Sequence, residues 1–225
     1  RLASLKQNYC QLSRMPVLSE LIKPDWPTDK QSLTVAMVQT KLPKASDLAT
    51  DIYLNALQYR TKHRRHIARA AELVLKHISA QNTEKAELGK SEQHIDLIVF
   101  PELAVHPDDL NILIQLSRKT HAIVFAGLGF MDQPNISGPN NNAIWIVPRK
   151  YNGNGNEICR FQGKQHMTTG ELKLEIQPWR PYQLMLELRH PAYKDQKGFM
   201  LTGAICYDAT DIKLSADLAD KSNAL

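Results

Sequence analysis

The run Ile95-Asp-Leu-Ile-Val-Phe100, broken off by Pro101-Glu102, decides how the chain reads. It is short, apolar and rich in β-branched residues, as expected of a strand buried on both faces. A helix follows it, with Pro107 near the start, Asp108 and Asp109 in the first turn, and Leu110, Leu113 and Ile114 on the apolar side. Ala122 to Ala126 then makes a further strand, closed by Gly127 and Gly129. Upstream, Leu33 to Val38 is a strand of the same type. Ala45 to Ile78 holds neither glycine nor proline and repeats Ile67, Ala70, Ala71, Val74 and Ile78 at helical spacing, which predicts one helix with an apolar stripe. Strands alternating with helices define an α/β protein.

Downstream the rhythm changes. Gln81 to Gln93 is polar and reads as a loop, while Ala143 to Val147 and Glu157 to Phe161 read as a strand pair joined by Tyr151-Asn-Gly-Asn-Gly-Asn156, residues tolerant of positive φ. Those glycines make no dinucleotide fingerprint, because Ile158 stands where the third glycine is required and no helix follows. Pro178 and Pro181 break a crossing, and Phe199 to Ile205 forms a strand that ends at Cys206. Residues 1–32, with Pro16, Pro24 and Pro27, read as an arm or linker from a preceding domain, leaving 33–225 as the domain proper.

Length and composition bound the function. The 225 residues suffice for one large domain with an arm, and 43% hydrophobic with 23% charged residues exclude a disordered chain. No apolar run reaches the roughly 18 residues of a membrane span and no leader opens the chain, so a cytoplasmic protein with no membrane partner is expected. A net charge of +5 assists attraction to phosphate without requiring it. Cys10, Cys159 and Cys206 cannot all pair within the chain, so reduced thiols are expected and one is free to do chemistry. A chain that starts at Arg1 and stops at Leu225, just after an amphipathic stretch, reads as a piece of a longer protein.

Three polar residues end strands. Glu102 follows Ile95 to Phe100, Lys164 follows the strand through Phe161, and Cys206 follows Phe199 to Ile205. Strand ends of an α/β sheet are rigid platforms facing a crevice. A thiol attacks an unreactive carbon when a carboxylate removes its proton and an ammonium holds the developing oxyanion, so the three residue types suit one task. Arg60, Lys62, Arg64, Arg65 and Arg69 line the other face of the long helix with His63 and His66; a solvated surface is the ordinary reading and nucleic-acid contact the speculative one. The two histidines lack a third ligand for zinc, and neither a metal nor a cofactor is expected.

The motifs Val35-Ala-Met-Val-Gln39, Leu97-Ile-Val-Phe-Pro-Glu-Leu103, Asn142-Ala-Ile144, Lys164-Gln-His166 and Ala204-Ile-Cys-Tyr-Asp208 resemble, in this order, the strand ends of the nitrilase (carbon–nitrogen hydrolase) superfamily. The likeness covers about Leu33 to Leu225. It implies a four-layer α-β-β-α sandwich, here incomplete at its C-terminal end, and usually a homo-oligomer. By the same resemblance Glu102 is the general base and later proton donor, Lys164 holds the oxyanion, and Cys206 forms a thioester from a small-molecule amide or, less readily, a nitrile. Glu171 resembles a second carboxylate that positions substrate and water, and Tyr207 joins it as a positioning candidate while shaping, with Asp208, the turn after the nucleophile. His166 supports the fold.

Longer stretches, Gly203 to Asp217, Phe100-Pro-Glu-Leu-Ala-Val-His-Pro-Asp108 and Arg180-Pro-Tyr-Gln-Leu184, resemble the nitrilase-like domain fused behind a reverse transcriptase in some bacterial antiviral proteins. That likeness implies a parent polypeptide with RNA-directed DNA polymerase activity, none of whose elements lie in these residues. A second role, an accessory module for oligomerisation or nucleic-acid contact within such a larger machine, is motivated by the basic segment Arg60 to Arg69.

Overall fold

Pairing begins with three parallel strands, β3 (Val35–Met37), β4 (Leu97–Val105) and β5 (Ile123–Leu128), and continues antiparallel through β6 (Asn142–Val147) and β7 (Ile158–Gly163) to give a five-stranded sheet in the order β3-β4-β5-β6-β7. The computed structural model describes residues 9–89, 92, 94–134, 136–148, 157–193 and 196–225. A second sheet has the order β1-β2-β8-β9, from β1 (Tyr9–Cys10), β2 (Met15–Ile22), β8 (Gln183–Leu188) and β9 (Phe199–Thr202). Here β2 and β8 run parallel, and the outer pairs are antiparallel.

Three apolar layers join these parts. Ile67 and Ala71 of the helix α2 (Leu57–Glu87), with Leu113 and Leu116 of α3 (Leu110–Thr120), pack on Ile98, Phe100, Val124, Ala126, Ile144 and Ile146. The other face of that sheet presents Leu97, Ile123, Trp145 and Val147 to Ile22, Leu184, Leu186, Leu188 and Leu201 of the second sheet. Met185 and Met200 on the far side are covered by Leu214 and Leu218 of the helix α5 (Ile212–Ala219). Helix, sheet, sheet, helix is the expected four-layer sandwich; its apolar inner strand β6 is buried along its whole length, whereas the edge strand β3 leaves Val35 and Met37 exposed.

Several local expectations change. The helix expected over 45–78 is two: α1 (Ala45–Thr50) stops at Asp51, whose carboxylate accepts from the N–H groups of Tyr53 (3.1 Å), Asn55 (2.6 Å) and Ala56 (3.0 Å). Such side-chain competition for backbone donors ends a helix with no glycine or proline to announce it. α2 then runs on through the polar Gln81 to Glu87, expected as loop, because Gln, Glu, Lys and Ala are good helix formers without an apolar stripe. β4 does not end at Pro101 but passes it, with a shift of register between Phe100 and Val105, a place where a strand tolerates proline. Gln183 to Leu188, read as part of a proline-broken crossing, is an inner strand. The stretch expected as an arm supplies β1 and β2, with Cys10 and Ile22 fully buried; Pro16 lies just ahead of the β2–β8 ladder, which starts at Val17. The turn expected at 151–156 lies outside the described residues. Among the described residues no helix is long and apolar enough to cross a membrane.

Candidate active site

Glu102 leaves the line of β4 because of the bulge that follows Phe100. Leu103, the next residue, has φ 57°, in the left-handed region. The neighbouring strand makes room with Gly127, where a Cβ would lie 2.4 Å from the Glu102 Cα. The freed carboxylate accepts from the Asn141 amide at 2.7 Å and from the Lys164 ammonium at 2.9 Å.

Lys164 follows β7 directly. Its N–H donates to the Asn141 carbonyl and its own carbonyl accepts from the Trp179 N–H, both at 2.9 Å, so its backbone is fixed on two sides. The side chain is 1% exposed. Glu171, on the one-turn helix α4 (Thr169–Lys173), meets it with both oxygens, at 2.9 and 2.7 Å. Glu171 also completes a capping box, since its Oε2 accepts from the Thr168 N–H (2.8 Å) and hydroxyl (2.9 Å) while Thr168 Oγ1 accepts from the Glu171 N–H (3.3 Å). Asn141 bridges the two acids, donating to Glu171 Oε1 at 2.7 Å as well. Its orientation follows from chemistry, because only the NH2 end fits between two carboxylates.

Charge is shared accordingly. Burial works against the Lys164 ammonium, but the hydrogen bonds and charges of Glu171 and Glu102 outweigh it and hold the amine's pKa above its ordinary value. Burial likewise opposes ionisation of Glu171, and Lys164, Thr168 and Asn141 together reverse this, so its pKa is depressed. Both groups are therefore ionised at neutral pH.

Cys206 opens a 3-10 turn, Cys206–Thr210, with φ 46°, a strained left-handed conformation for a residue with a Cβ. The strand before it is drawn close by Gly203, where a Cβ would meet Trp145 and Phe125 at under 3 Å; its carbonyl accepts from the Gln162 and Gln183 amides. The residue is exposed, yet the groups packed about its sulfur raise the thiol's pKa: partial burial first, then the Glu102 charge and the hydrogen bond the thiol donates to Glu102. Lys164 and the Tyr207 N–H pull the other way and do not prevail. The resting group is a protonated thiol beside a carboxylate, not the preformed thiolate that an ammonium neighbour alone would suggest.

Asp208 ties these parts together. It is 1% exposed and accepts from the N–H groups of Gln165 (2.9 Å) and His166 (2.7 Å) and from Arg180 Nη1 (3.2 Å), with His166 Nδ1 at 3.0 Å. The turn carrying the thiol is thereby fastened to the segment carrying the ammonium.

The structure thus places Glu102, Lys164 and Glu171 in direct contact, with the Cys206 thiol on Glu102. Tyr207 is 51% exposed beside the sulfur. The basic face behaves differently: Arg60 and Arg64 reach Asp109, itself fully buried, at 3.4 and 2.8 Å, and Arg69 pairs with Glu72 at 2.7 Å. Lys62 and Arg65 are exposed and make no ion pair among the described residues. His63 stacks on Tyr59 with ring centroids 5.4 Å apart, and His66 accepts from the Lys41 N–H at 2.9 Å. Asn141 was not among the residues singled out from sequence; its signal was the run Asn140-Asn-Asn142 entering β6, three amides that are fully buried. Buried amides need partners, and here the middle one's partners are the two carboxylates.

No protein-family model and no curated protein matches the chain. Solved structures do. A carbon-nitrogen hydrolase from Helicobacter pylori aligns with a TM-score of 0.50 and 16% identity over 84% of this chain and 56% of its own. A CN-hydrolase superfamily protein from Xanthomonas campestris (TM-score 0.38, 13% identity, 60% of this chain and 49% of that one) and an N-terminal amidase (0.43, 14%, 78% and 40%) are more distant. The fold is that of the carbon-nitrogen hydrolases, and the chain spans a little over half the length of the Helicobacter protein.

Proposed function

We propose that the chain carries the catalytic centre of a cysteine-dependent carbon-nitrogen hydrolase acting on amides. The observation that carries this is the contact of one carboxylate, Glu102, with both the Cys206 thiol and the buried Lys164 ammonium. Because the thiol rests protonated, Glu102 takes its proton as sulfur attacks the carbonyl carbon, and the carbonyl π pair moves to oxygen. Lys164 and the Tyr207 N–H, already turned toward the sulfur, are the donors available to that oxyanion. Glu102 then passes the proton to nitrogen, the C–N bond breaks and the amine leaves a thioester. Water, deprotonated by Glu102, attacks the thioester; the C–S bond breaks and the thiol recovers its proton. Glu171 supports this as a positioning residue, holding Lys164 from the side away from the thiol chemistry.

The test is turnover of simple aliphatic amides by the full chain and by Cys206→Ala, with urea unfolding of both. Loss of turnover with stability kept supports the reading. Equal turnover overturns it. A second reading, the accessory module of a reverse-transcriptase fusion, draws on exposed Lys62 and Arg65; it requires nucleic-acid binding that weakens steeply with salt and is lost in Lys62→Gln/Arg65→Gln.

A further inference from the structure

Packing alone does not fix the aim of the Glu102 carboxylate. Its side chain is 25% exposed, against 1% for Lys164 and 10% for Glu171, and it stands where the register of β4 shifts. Hydrogen bonds supply what packing does not, and they converge on one atom. Asn141 Nδ2 at 2.7 Å and Lys164 Nζ at 2.9 Å both meet Oε1. A carboxylate oxygen offers two lone pairs, so Oε1 is filled and Oε2 is the acceptor left for the Cys206 thiol.

The two donors differ in what they can hold. The ammonium of Lys164 has three N–H bonds that turn about the end of a flexible stem, and it also serves both oxygens of Glu171. Asn141 has no such freedom. It is fully buried where the chain enters β6, and its carbonyl accepts from the Lys164 N–H at 2.9 Å. Its neighbour Asn140 exchanges backbone hydrogen bonds with Met131 at 3.0 and 3.2 Å. The second N–H of the Asn141 amide is tied to Glu171 Oε1 at 2.7 Å, which sets the plane of the group. Its Oδ1, by contrast, is buried without a hydrogen-bond partner among the described residues. An amide placed to stabilise the fold is ordinarily paired at both ends; this one forgoes its acceptor so that both donors reach carboxylates, an arrangement that costs stability.

We propose that Asn141 is a positioning residue for the proton transfers, clamping Oε1 of Glu102 so that Oε2 faces Cys206 and carries the proton, a role that rests on the amide-hydrolase reading above. In the first step the S–H bond breaks, its proton forms an O–H bond at Oε2, and the electron pair left on sulfur makes the bond to carbon. Without the clamp the carboxylate pivots about Lys164 toward solvent and loses the thiol.

Alkylation reads the thiol without any substrate. Iodoacetamide reacts as the sulfur pair forms a C–S bond and iodide leaves, at a rate set by the thiolate fraction. Labelling of Cys206, followed by peptide mass, is compared in the full native chain, Asn141→Leu, Glu102→Gln and the double variant. Leucine keeps the branched shape of asparagine and removes the donor. Asn141→Leu is expected to label about three- to tenfold faster at pH 7, the worth of one net hydrogen bond, because Glu102 no longer holds the proton on sulfur. The double variant is expected to label no faster than Glu102→Gln, whereas a residue that merely supported the fold would add its own effect. Unchanged or slower labelling in Asn141→Leu, or additive effects in the double variant, would each overturn the proposal. Asn141→Ala makes the same comparison should urea unfolding show that the leucine chain does not fold. With simple aliphatic amides the loss in Asn141→Leu is expected in kcat, with KM kept. Coupled labelling in a chain that hydrolyses no amide refutes the hydrolase reading alone; amide hydrolysis at the native kcat by Asn141→Leu refutes the clamp alone.

Discussion

Replacing Glu171 by glutamine tests whether the buried ion cluster holds the site together. The two side chains are nearly the same size, so the change is one of charge and of donor against acceptor. In the native protein Oε1 takes donors from Asn141 and Lys164, and Oε2 takes donors from Lys164 and from the Thr168 N–H and hydroxyl. A glutamine must put its NH2 at one of these positions. At the first it faces Asn141 and Lys164, at the second Lys164 and the Thr168 N–H, so at least two hydrogen bonds to a charged group are lost either way. At about 1.5–3 kcal/mol each, and with Glu102 still neutralising Lys164, the cost is about 3–5 kcal/mol. For a chain of this size that lowers Tm by roughly 10 °C. The sign with pH provides a second check. Glu171 has a depressed pKa in the folded state, so its stabilisation is present above the unfolded value, about 4.3, and disappears as pH falls through the folded one. Urea unfolding at pH 7 and at steps down to pH 3 should therefore show a gap between native and variant that closes in acid. A loss below about 1 kcal/mol at neutral pH, or a gap of the same size at pH 3, would refute the assignment of Glu171 as the anchor of Lys164.

Further outcomes are expected at the thiol and around it. Iodoacetamide should label Cys206 slowly at pH 7 and faster as pH rises toward its elevated pKa; Glu102→Gln should quicken labelling, by removing the charge that raises that pKa, while lowering amide turnover. Labelling that slows in Glu102→Gln would contradict the described contact. Cys206→Gly should be at least as stable in urea as Cys206→Ala, since glycine adopts φ 46° without strain, and a less stable glycine variant would argue against the strained turn. Gly127→Ala should destabilise the chain and reduce turnover together, because its Cβ would sit 2.4 Å from the Glu102 Cα; near-native values of both would show that the bulge is not fixed by that close approach.

The helix-covered sheet was legible because its strands through β6 are short apolar runs, a pattern that local sequence carries by itself. Lys164 and Cys206 were legible as polar residues that follow strands, and Glu102 by the proline before it, although β4 runs past both to Val105 and β9 ends four residues ahead of Cys206. The second sheet was harder to read. β2 and β8 sit among prolines, and what makes them strands is their partnership across most of the chain, pairing Val17 with Gln183. Glu171 was recognisable only by likeness, since its place against Lys164 depends on a one-turn helix whose signal is the pair Thr168 and Glu171. Asn141 lay hidden for a related reason, and Asp208 was read only as shaping the turn after Cys206: each acts through contacts with several segments at once, and no single window of sequence holds them.

The long reach of the β2–β8 pairing also orders events during synthesis. The five-stranded sheet draws all its strands from Val35 to Gly163 and assembles from neighbours in the chain, whereas β2 must wait for residues 183–188 to emerge before it finds its parallel partner. Non-local pairings of this kind form late. A nascent chain can thus bring Glu102 and Lys164 together before Cys206 has been made, and the centre proposed above is completed only once the strands of the second sheet have emerged.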